Sequence, residues 1–150
     1  VLKANMRVVG NAEYGLILYR DKLPKFNNNG KMVFNVMDWI DDNDFLYEKI
    51  HPTQKPIRLL ERLISIFTDE GDVVIDPVAG SGSTLVAANN LNRKAYGFEI
   101  KKNFYRDAVA WIEKCQKVNS EIRKTGYSNT YMKLQSGQNT LFDSQMEENP

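Results

Sequence analysis

The chain has 150 residues and is 42% hydrophobic, so it is long enough to build one hydrophobic core. Its 20 basic and 19 acidic residues leave a net charge of +1, which does not by itself indicate a nucleic-acid-binding surface. The single Cys and single His argue against a disulfide scaffold and a metal site. No apolar segment approaches the ~18 residues of a membrane span and no signal-peptide pattern is present, so we expect a cytoplasmic protein without a membrane partner.

The first element in chain order is an apolar run with polar ends, Glu13–Arg20. It predicts a strand over Tyr14–Tyr19 that is buried on both faces. Residues 21–50 are irregular and contain lysines, the cluster Asn27–Gly30 and an acidic patch over residues 38–44. Asn and Lys can contact bases or phosphates, but an Asn-Gly cluster is also typical of a simple turn, so both interpretations stay open.

The sequence HPTQKP, residues 51–56, precedes a predicted helix over Pro56–Phe67. The apolar residues of this helix recur at three- and four-residue spacing, as expected for one buried face: Ile57, Leu60, Ile64 and Phe67. Pro56 suits the first helical position, and Thr53 or Gln54 can offer an oxygen to the free helix N–H groups. HPTQKP holds more polar and turn-forming residues than a cap needs. We therefore expect a further role for it, the alternative being a capped helix and nothing else.

The most informative stretch is Val73–Thr84, VVIDPVAGSGST. A short apolar strand ends on Asp76, a glycine turn follows, and a helix is predicted over Thr84–Leu91. Ligands of open α/β sheets bind just beyond such strand ends, and glycines let the backbone approach them closely. The loop lacks the Lys of a P-loop and the third glycine of a dinucleotide loop, and Asp76 would repel a phosphate. The pattern favours a ligand with a cationic group and no pyrophosphate, such as S-adenosylmethionine; a packing turn without a ligand is the alternative.

A second strand is predicted over Tyr96–Glu99 and also ends on a carboxylate. Glu99 follows Gly80 by 19 residues, close to the ~20 expected between a glycine loop and an acid that binds ribose hydroxyls. A carboxylate accepts two hydrogen bonds from vicinal hydroxyls, so we expect Glu99 to bind a ribose rather than to be merely solvated.

The last predicted element is a helix over Phe104–Lys117. One face of this helix carries the residues expected in the core: Phe104, Ala108, Trp111 and Cys115. From Asn119 onward the sequence is polar, which predicts a flexible tail. We therefore divide the chain into a unit over residues 1–118 and a tail over residues 119–150.

These motifs together resemble the DNA (cytosine-N4 or adenine-N6) methyltransferases of the β-type motif order. The resemblance covers roughly Glu13 to Trp111 and rests on HPTQKP, EGDVVIDPVAGSGST, AANNLNRKAYGFEI and a following Tyr105. It implies an α/β fold, the Rossmann-like fold of S-adenosylmethionine-dependent methyltransferases, present here as the C-terminal part of the domain. Residues 1–118 would then be the cofactor-binding part, with residues 21–50 as a candidate target-recognition segment.

The resemblance also implies a cofactor site. Its residues are Thr53, Gln54 and Lys55 at the methionine end, Asp76, Val78, Ala79, Gly80, Ser81, Gly82, Ser83 and Thr84 in the loop, and Glu99 at the ribose. Val78 stands where the family usually has an aromatic ring, so we expect weaker cofactor binding than in the family at large.

The family's catalytic tetrapeptide, D/N-P-P-Y/F/W, occurs nowhere in these residues, because the one Asp-Pro pair belongs to the glycine loop. The catalytic residues are therefore unassigned, and we expect the chain to be the C-terminal portion of a longer enzyme. That enzyme would act on double-stranded DNA, with adenine-N6 favoured over cytosine-N4, and this chain alone would be inactive. The alternative is a non-catalytic, S-adenosylmethionine-binding regulatory module that acts with a partner chain. A homodimer is also expected, because the strand ending on Asp76 would lack a neighbour.

Overall fold

A computed structural model describes residues 12–23, 25–37, 47–51 and 53–125 of the chain. Within them lie, in order, α1 (Ile57–Phe67), β1 (Val73–Asp76), α2 (Ser83–Asn90), β2 (Lys94–Gly97) and α3 (Lys102–Thr125). The two strands are parallel, with Val73 opposite Lys94 and Asp76 opposite Gly97, so β1, α2 and β2 form one βαβ unit. The predicted acidic patch over residues 38–44, and the predicted tail from residue 126 onward, lie outside the described residues.

The core lies on one face of the sheet, which we call the inner face. Val74 of β1 and Ala95 of β2 pack there against a cluster contributed by all three helices: Ile57, Ile64, Val86, Ala87, Ala88, Trp111 and Cys115. Ala87 and Ala88 are fully buried, and their small side chains let α1 pack closely on α2. The buried face predicted for the last helix is confirmed at Ala108, Trp111 and Cys115.

The opposite, outer face of the sheet is open in the described part of the chain. It carries large apolar side chains at alternating positions, all exposed: Val73, Ile75, Tyr96 and Phe98. Ile75 is 62% exposed although it neighbours Val74, which packs on the core. A strand pattern with apolar residues on both sides is typical of parallel sheets covered on both faces. Within the described residues, β1 has this pattern, but only one of its faces is covered.

The prediction of a strand over Tyr14–Tyr19 is wrong. These residues form no strand, and most of their apolar side chains are exposed, Tyr14 by 93%. The sheet contains β1 and β2 as its two strands within the described residues. Because a strand exists only when a neighbour accepts and donates its backbone hydrogen bonds, a strongly apolar run without such a neighbour stays irregular.

The remaining elements differ from prediction at their ends. Helix α1 begins at Ile57, with Pro56 as its N-cap, and no side chain caps it. The Gln54 side chain instead accepts a hydrogen bond from the Ile50 N–H group (3.1 Å). The predicted cap is therefore wrong. Strand β2 ends at Gly97, two residues before Glu99. Helix α3 continues to Thr125, so the predicted start of the tail falls inside it.

Within the described ranges, no helix combines the length and the apolar character that crossing a bilayer requires.

Candidate functional site

The two strands carry their carboxylates to the same edge of the sheet. Asp76 is the last residue of β1, and its Oδ1 accepts a hydrogen bond from the Val78 N–H group at 3.0 Å. The ladder continues beyond β2, because the Phe98 N–H group donates to the Asp76 carbonyl oxygen (3.0 Å). Glu99 is the next residue, so its carboxylate lies at the level of the loop that follows β1.

The loop after β1 is tied directly to the chain after β2. The Ala79 N–H group donates to the Phe98 carbonyl oxygen (2.9 Å), and the Gly80 N–H group donates to Glu99 Oε2 (3.1 Å). The other oxygen of the same carboxylate, Oε1, accepts the Lys101 N–H group at 2.8 Å. The structure therefore brings the predicted loop and Glu99 together, with Glu99 joining the two loops that follow the two strands.

Glycines allow this loop to lie close to its neighbours. Gly80 and Gly82 both have left-handed backbones, with φ of 55° and 80°, a region open to glycine without strain. Gly82 is also the N-cap of α2, and a Cβ at this position would lie 2.7 Å from Cδ1 of Ile112 on α3. A side chain here would force Ile112 or the start of α2 to shift, and the left-handed backbone would be strained.

Gly97 has a positional role that the sequence analysis missed. A Cβ on this residue would lie 2.8 Å from Cδ1 of Leu85 and 2.9 Å from Cβ of Ala79. The loop and the first turn of α2 therefore rest directly on the backbone of β2. The signal was available, because a glycine inside a short strand often marks a close backbone approach.

The remaining loop residues fall into two groups. Ser81 and Ser83 are buried and Thr84 is half-buried, so they lie within the packed turn. Val78 is 78% exposed, and it presents a bare aliphatic surface beside Asp76.

The HPTQKP turn joins the same end of the molecule through α3. The His51 ring packs edge-on against Phe104, with ring centroids 4.5 Å apart and planes at 90°. The Lys101 ammonium lies 5.0 Å from the centroid of the same ring. Since Phe104 is in the first turn of α3 and Lys101 closes the loop after Glu99, this contact places the turn beside the predicted ribose acid.

The three predicted residues of this turn have different surroundings. The Thr53 hydroxyl lies 3.0 Å from Nδ1 of His51, and the Thr53 side chain is exposed. Gln54 is only 9% exposed; its amide also donates to the Glu48 carbonyl oxygen (3.3 Å), so it holds the turn together. Lys55 forms an ion pair with Glu13, which ties the turn to the apolar run near the start of the chain.

One residue of the candidate recognition segment has a structural contact that the sequence did not reveal. The Asn27 N–H group donates to the Ile66 carbonyl oxygen (2.6 Å). Its side-chain amide donates to the Thr68 carbonyl oxygen (3.0 Å) and to Asp69 Oδ1 (2.9 Å). Asn27 thus donates hydrogen bonds to backbone carbonyl groups at the carboxyl end of α1, where carbonyl groups lack partners within the helix. Its amide is used for this contact.

Within the described ranges, no group of three or more His, Cys, Asp or Glu side chains is arranged to hold an ion.

Comparison with known proteins gives consistent matches. The family model for N6/N4 DNA methylases matches residues 19–110. Type II methyltransferase M2.DpnII from Streptococcus pneumoniae is 40% identical over 98 residues, which cover 63% of this chain and 36% of that protein. DNA adenine methyltransferase YhdJ from Escherichia coli (strain K12) is 34% identical over 122 residues, which cover 77% of this chain and 42% of that protein.

A solved structure, the M1.HpyAVI–SAM complex, is similar in three dimensions. It is 30% identical, has a TM-score of 0.51, and the match covers 62% of this chain and 46% of that one. This similarity confirms the predicted α/β fold class, with part of the domain present. The chain spans less than half the length of each of these relatives.

Proposed function

We propose, since the chain belongs to the N6/N4 DNA methylase family, that it is the S-adenosylmethionine-binding portion of a DNA amino-methyltransferase. The enzyme acts on double-stranded DNA and transfers a methyl group to adenine N6 in preference to cytosine N4. This portion binds the cofactor, and the groups that grip the target amine come from outside these residues.

The observation that carries the proposal is the hydrogen bond between the loop after β1 and the segment after β2. Glu99 hydrogen-bonds the Gly80 amide across the loop, one strand away from Asp76. Each oxygen of a carboxylate has two acceptor positions, so Glu99 can keep its backbone contacts and still accept ribose hydroxyls. Gly80, which has open space on its Cα side apart from the Val78 carbonyl oxygen at 4.0 Å, leaves room for a ligand against the backbone.

Charge at this edge favours S-adenosylmethionine over a nucleotide phosphate. Asp76 and Glu99 both lie there, and a pyrophosphate would be repelled by two carboxylates. A sulfonium and an ammonium group would be attracted. Bound S-adenosylmethionine supplies an activated methyl group on sulfur; the residues of this chain hold and orient it. The match to M1.HpyAVI covers 62% of this chain, and that protein was solved as a SAM complex.

The acceptor side of the reaction needs a polar group on the base amine and a stacking surface for the extruded base. The family provides these through D/N-P-P-Y/F/W, and the sequence has no such tetrapeptide. We therefore propose that the chain alone methylates DNA at background rate. The preference for adenine rests on YhdJ, a DNA adenine methyltransferase whose match covers 77% of this chain.

Calorimetry with S-adenosylmethionine and S-adenosylhomocysteine tests the cofactor site. The unmodified chain should bind both, and Glu99→Ala should weaken binding by about 1.5–3 kcal/mol, the range for hydrogen bonds to a charged group. Glu70→Ala is the matched control, because Glu70 is exposed in the turn before β1, at the opposite end of the strand from Asp76. Equal affinity in Glu99→Ala and the unmodified chain would remove Glu99 from the site.

A transfer assay tests the division of labour. The purified chain, incubated with tritiated S-adenosylmethionine and mixed genomic DNA, should give background incorporation. Adding a polypeptide region that carries the D/N-P-P-Y tetrapeptide should raise it, and digestion of the DNA to nucleosides should place the label on N6-methyladenine. Robust incorporation by the chain alone would contradict the proposal, because another residue would then replace the tetrapeptide.

A further inference from the structure

The Glu99 carboxylate accepts hydrogen bonds from two loops, and ribose binding alone does not require these contacts. One oxygen of its carboxylate accepts the Gly80 N–H group of the loop after β1, at 3.1 Å. The other accepts the Lys101 N–H group of the loop after β2, at 2.8 Å. A single half-buried side chain therefore connects the glycine loop to the chain that leads into α3.

The neighbours of Gly80 are held by other means. Ala79 is fixed by its backbone bond to Phe98 and by its contact with Gly97. Gly82 is fixed against Ile112 on α3. At Gly80 the nearest atom to an added Cβ would be the Val78 carbonyl oxygen at 4.0 Å, so side-chain packing does not hold this residue. The Gly82 N–H group donates to the Ala79 carbonyl oxygen (2.7 Å) and closes a turn around Gly80. Gly80 itself is tied across to the chain after β2 by its hydrogen bond to Glu99.

We propose that Glu99 is a positioning residue for the glycine loop, and that it fixes Gly80 before any cofactor binds. The inference rests on the proposed function, in which the same carboxylate also receives the ribose. Preorganising the loop lowers the conformational cost of binding, so Glu99 would contribute to affinity twice, once through its contact with the ligand and once through the loop.

Two substitutions separate the contacts of Glu99. Glu99→Asp keeps the carboxylate but shortens the side chain by one methylene group. The bond to Lys101, two residues on, is one that Asp side chains form readily, whereas the shorter side chain no longer spans the gap to Gly80. Glu99→Ala removes both bonds. Glu70→Ala is the control for loss of a carboxylate elsewhere.

Amide hydrogen exchange, measured by NMR on the ¹⁵N-labelled 150-residue chain without cofactor, tests the proposal. Exchange at Gly80 should be about tenfold or more faster in both Glu99 variants, as expected for loss of a hydrogen bond to a charged group. Exchange at Lys101 should rise in Glu99→Ala and stay near its original rate in Glu99→Asp. Exchange at Trp111, in the buried part of α3, should be unchanged throughout.

Two outcomes would overturn the positioning role. One is unchanged exchange at Gly80 in both variants. The other is an equal rise at Gly80 and Trp111, which would mean that the substitutions loosen the whole fold. Because the measurement is made without cofactor, it is independent of the calorimetry: failure to bind S-adenosylmethionine would sink the proposed function and leave the loop contact standing.

Discussion

Both faces of the β1–β2 sheet carry apolar side chains, but one face packs against helices and the other is exposed. On the inner face, Val74 and Ala95 pack against the cluster built by α1, α2 and α3. On the outer face, Ile75 and Tyr96, which lie opposite each other in the ladder, are each more than half exposed. Apolar residues on both sides of a strand thus identify a parallel sheet, but they do not tell which face the helices of a given chain cover.

The inner face also positions the candidate site. Gly82 rests on Ile112 and Gly97 rests on Leu85, so helices α2 and α3 determine where the glycine loop lies. The outer face contributes none of these contacts. The stability of the inner face and the geometry of the site are therefore coupled, whereas the outer face can change with little effect on either in this chain.

Neighbouring residues of β1 give the largest expected contrast. Val74→Asp places a carboxylate against the inner cluster and should lower the free energy of unfolding by about 3 kcal/mol or more, since a charge without a partner is costly to bury. Ile75→Asp places the same carboxylate on the outer face and should cost less than about 1 kcal/mol. Urea unfolding followed by circular dichroism measures both. A loss in Ile75→Asp as large as that in Val74→Asp would show that the outer face is covered in solution.

Sequence patterns predicted the parts of the molecule that depend on local periodicity. The face of α3 with Ala108, Trp111 and Cys115 is buried as predicted, and β1 ends on Asp76 as predicted. The patterns failed where a distant partner decides the outcome. Tyr14–Tyr19 has strong strand preference but no neighbouring strand within the described residues, and α1 receives its carboxyl-end contacts from Asn27, 41 residues before Thr68.

The candidate site was predictable to a similar degree. The spacing from Gly80 to Glu99 anticipated that the two lie together, and the 3.1 Å hydrogen bond between them agrees with that expectation. The spacing could not show that Gln54 is turned inward to hold its own turn, nor that Lys55 is paired with Glu13. Those contacts depend on how separate segments meet. The roles of Thr53, Gln54 and Lys55 toward a cofactor stay predictions.

Gly97 gives the next largest effect and tests whether the inner face fixes the loop. Gly97→Ala should destabilise the fold by about 1–3 kcal/mol, as overpacking does, because the new methyl group meets both Leu85 and Ala79. It should also weaken S-adenosylmethionine binding, since Ala79 is part of the loop. Gly15→Ala is the matched control, with no atom within 4 Å of the added Cβ. Thermal unfolding and calorimetry would contradict the coupling if Gly97→Ala behaved like Gly15→Ala.

Substitution of Asn27 tests how far the stability of the inner face depends on a segment outside the βαβ unit. Asn27→Ala removes the side-chain bonds to Thr68 and Asp69 and should lower the free energy of unfolding by about 1 kcal/mol. Asn103→Ala, an exposed position in the first turn of α3, should change it by less than about 0.5 kcal/mol. Urea unfolding compares the two. Equal effects would mean that solvent replaces Asn27 at the end of α1 without loss.

The last contrast is confined to alkaline pH and concerns Cys115, which is buried at the inner face. Burial raises the pKa of its thiol from 9.0 to about 11, although Lys114 acts in the opposite direction. Because the folded state keeps the proton that the unfolded state loses, the contribution of this group to stability is complete below pH 9 and is lost as the pH rises to about 11. Cys115→Ala should therefore show a shallower decline in the free energy of unfolding over that range.

Alkylation provides an independent measurement on the same residue. The thiolate is the reactive form, so a shift of two pKa units alone slows the reaction about a hundredfold at pH 8. Because Cys115 is also buried, the folded chain should react with iodoacetamide at least about a hundredfold more slowly than the urea-unfolded chain. Cys115 is the single cysteine of the chain, so the rate has one source and Cys115→Ala sets the background. An equally fast reaction in the folded chain would show that the inner face opens readily. The packing contrast between the two faces of the sheet would then be much smaller than the buried positions of Trp111 and Cys115 indicate.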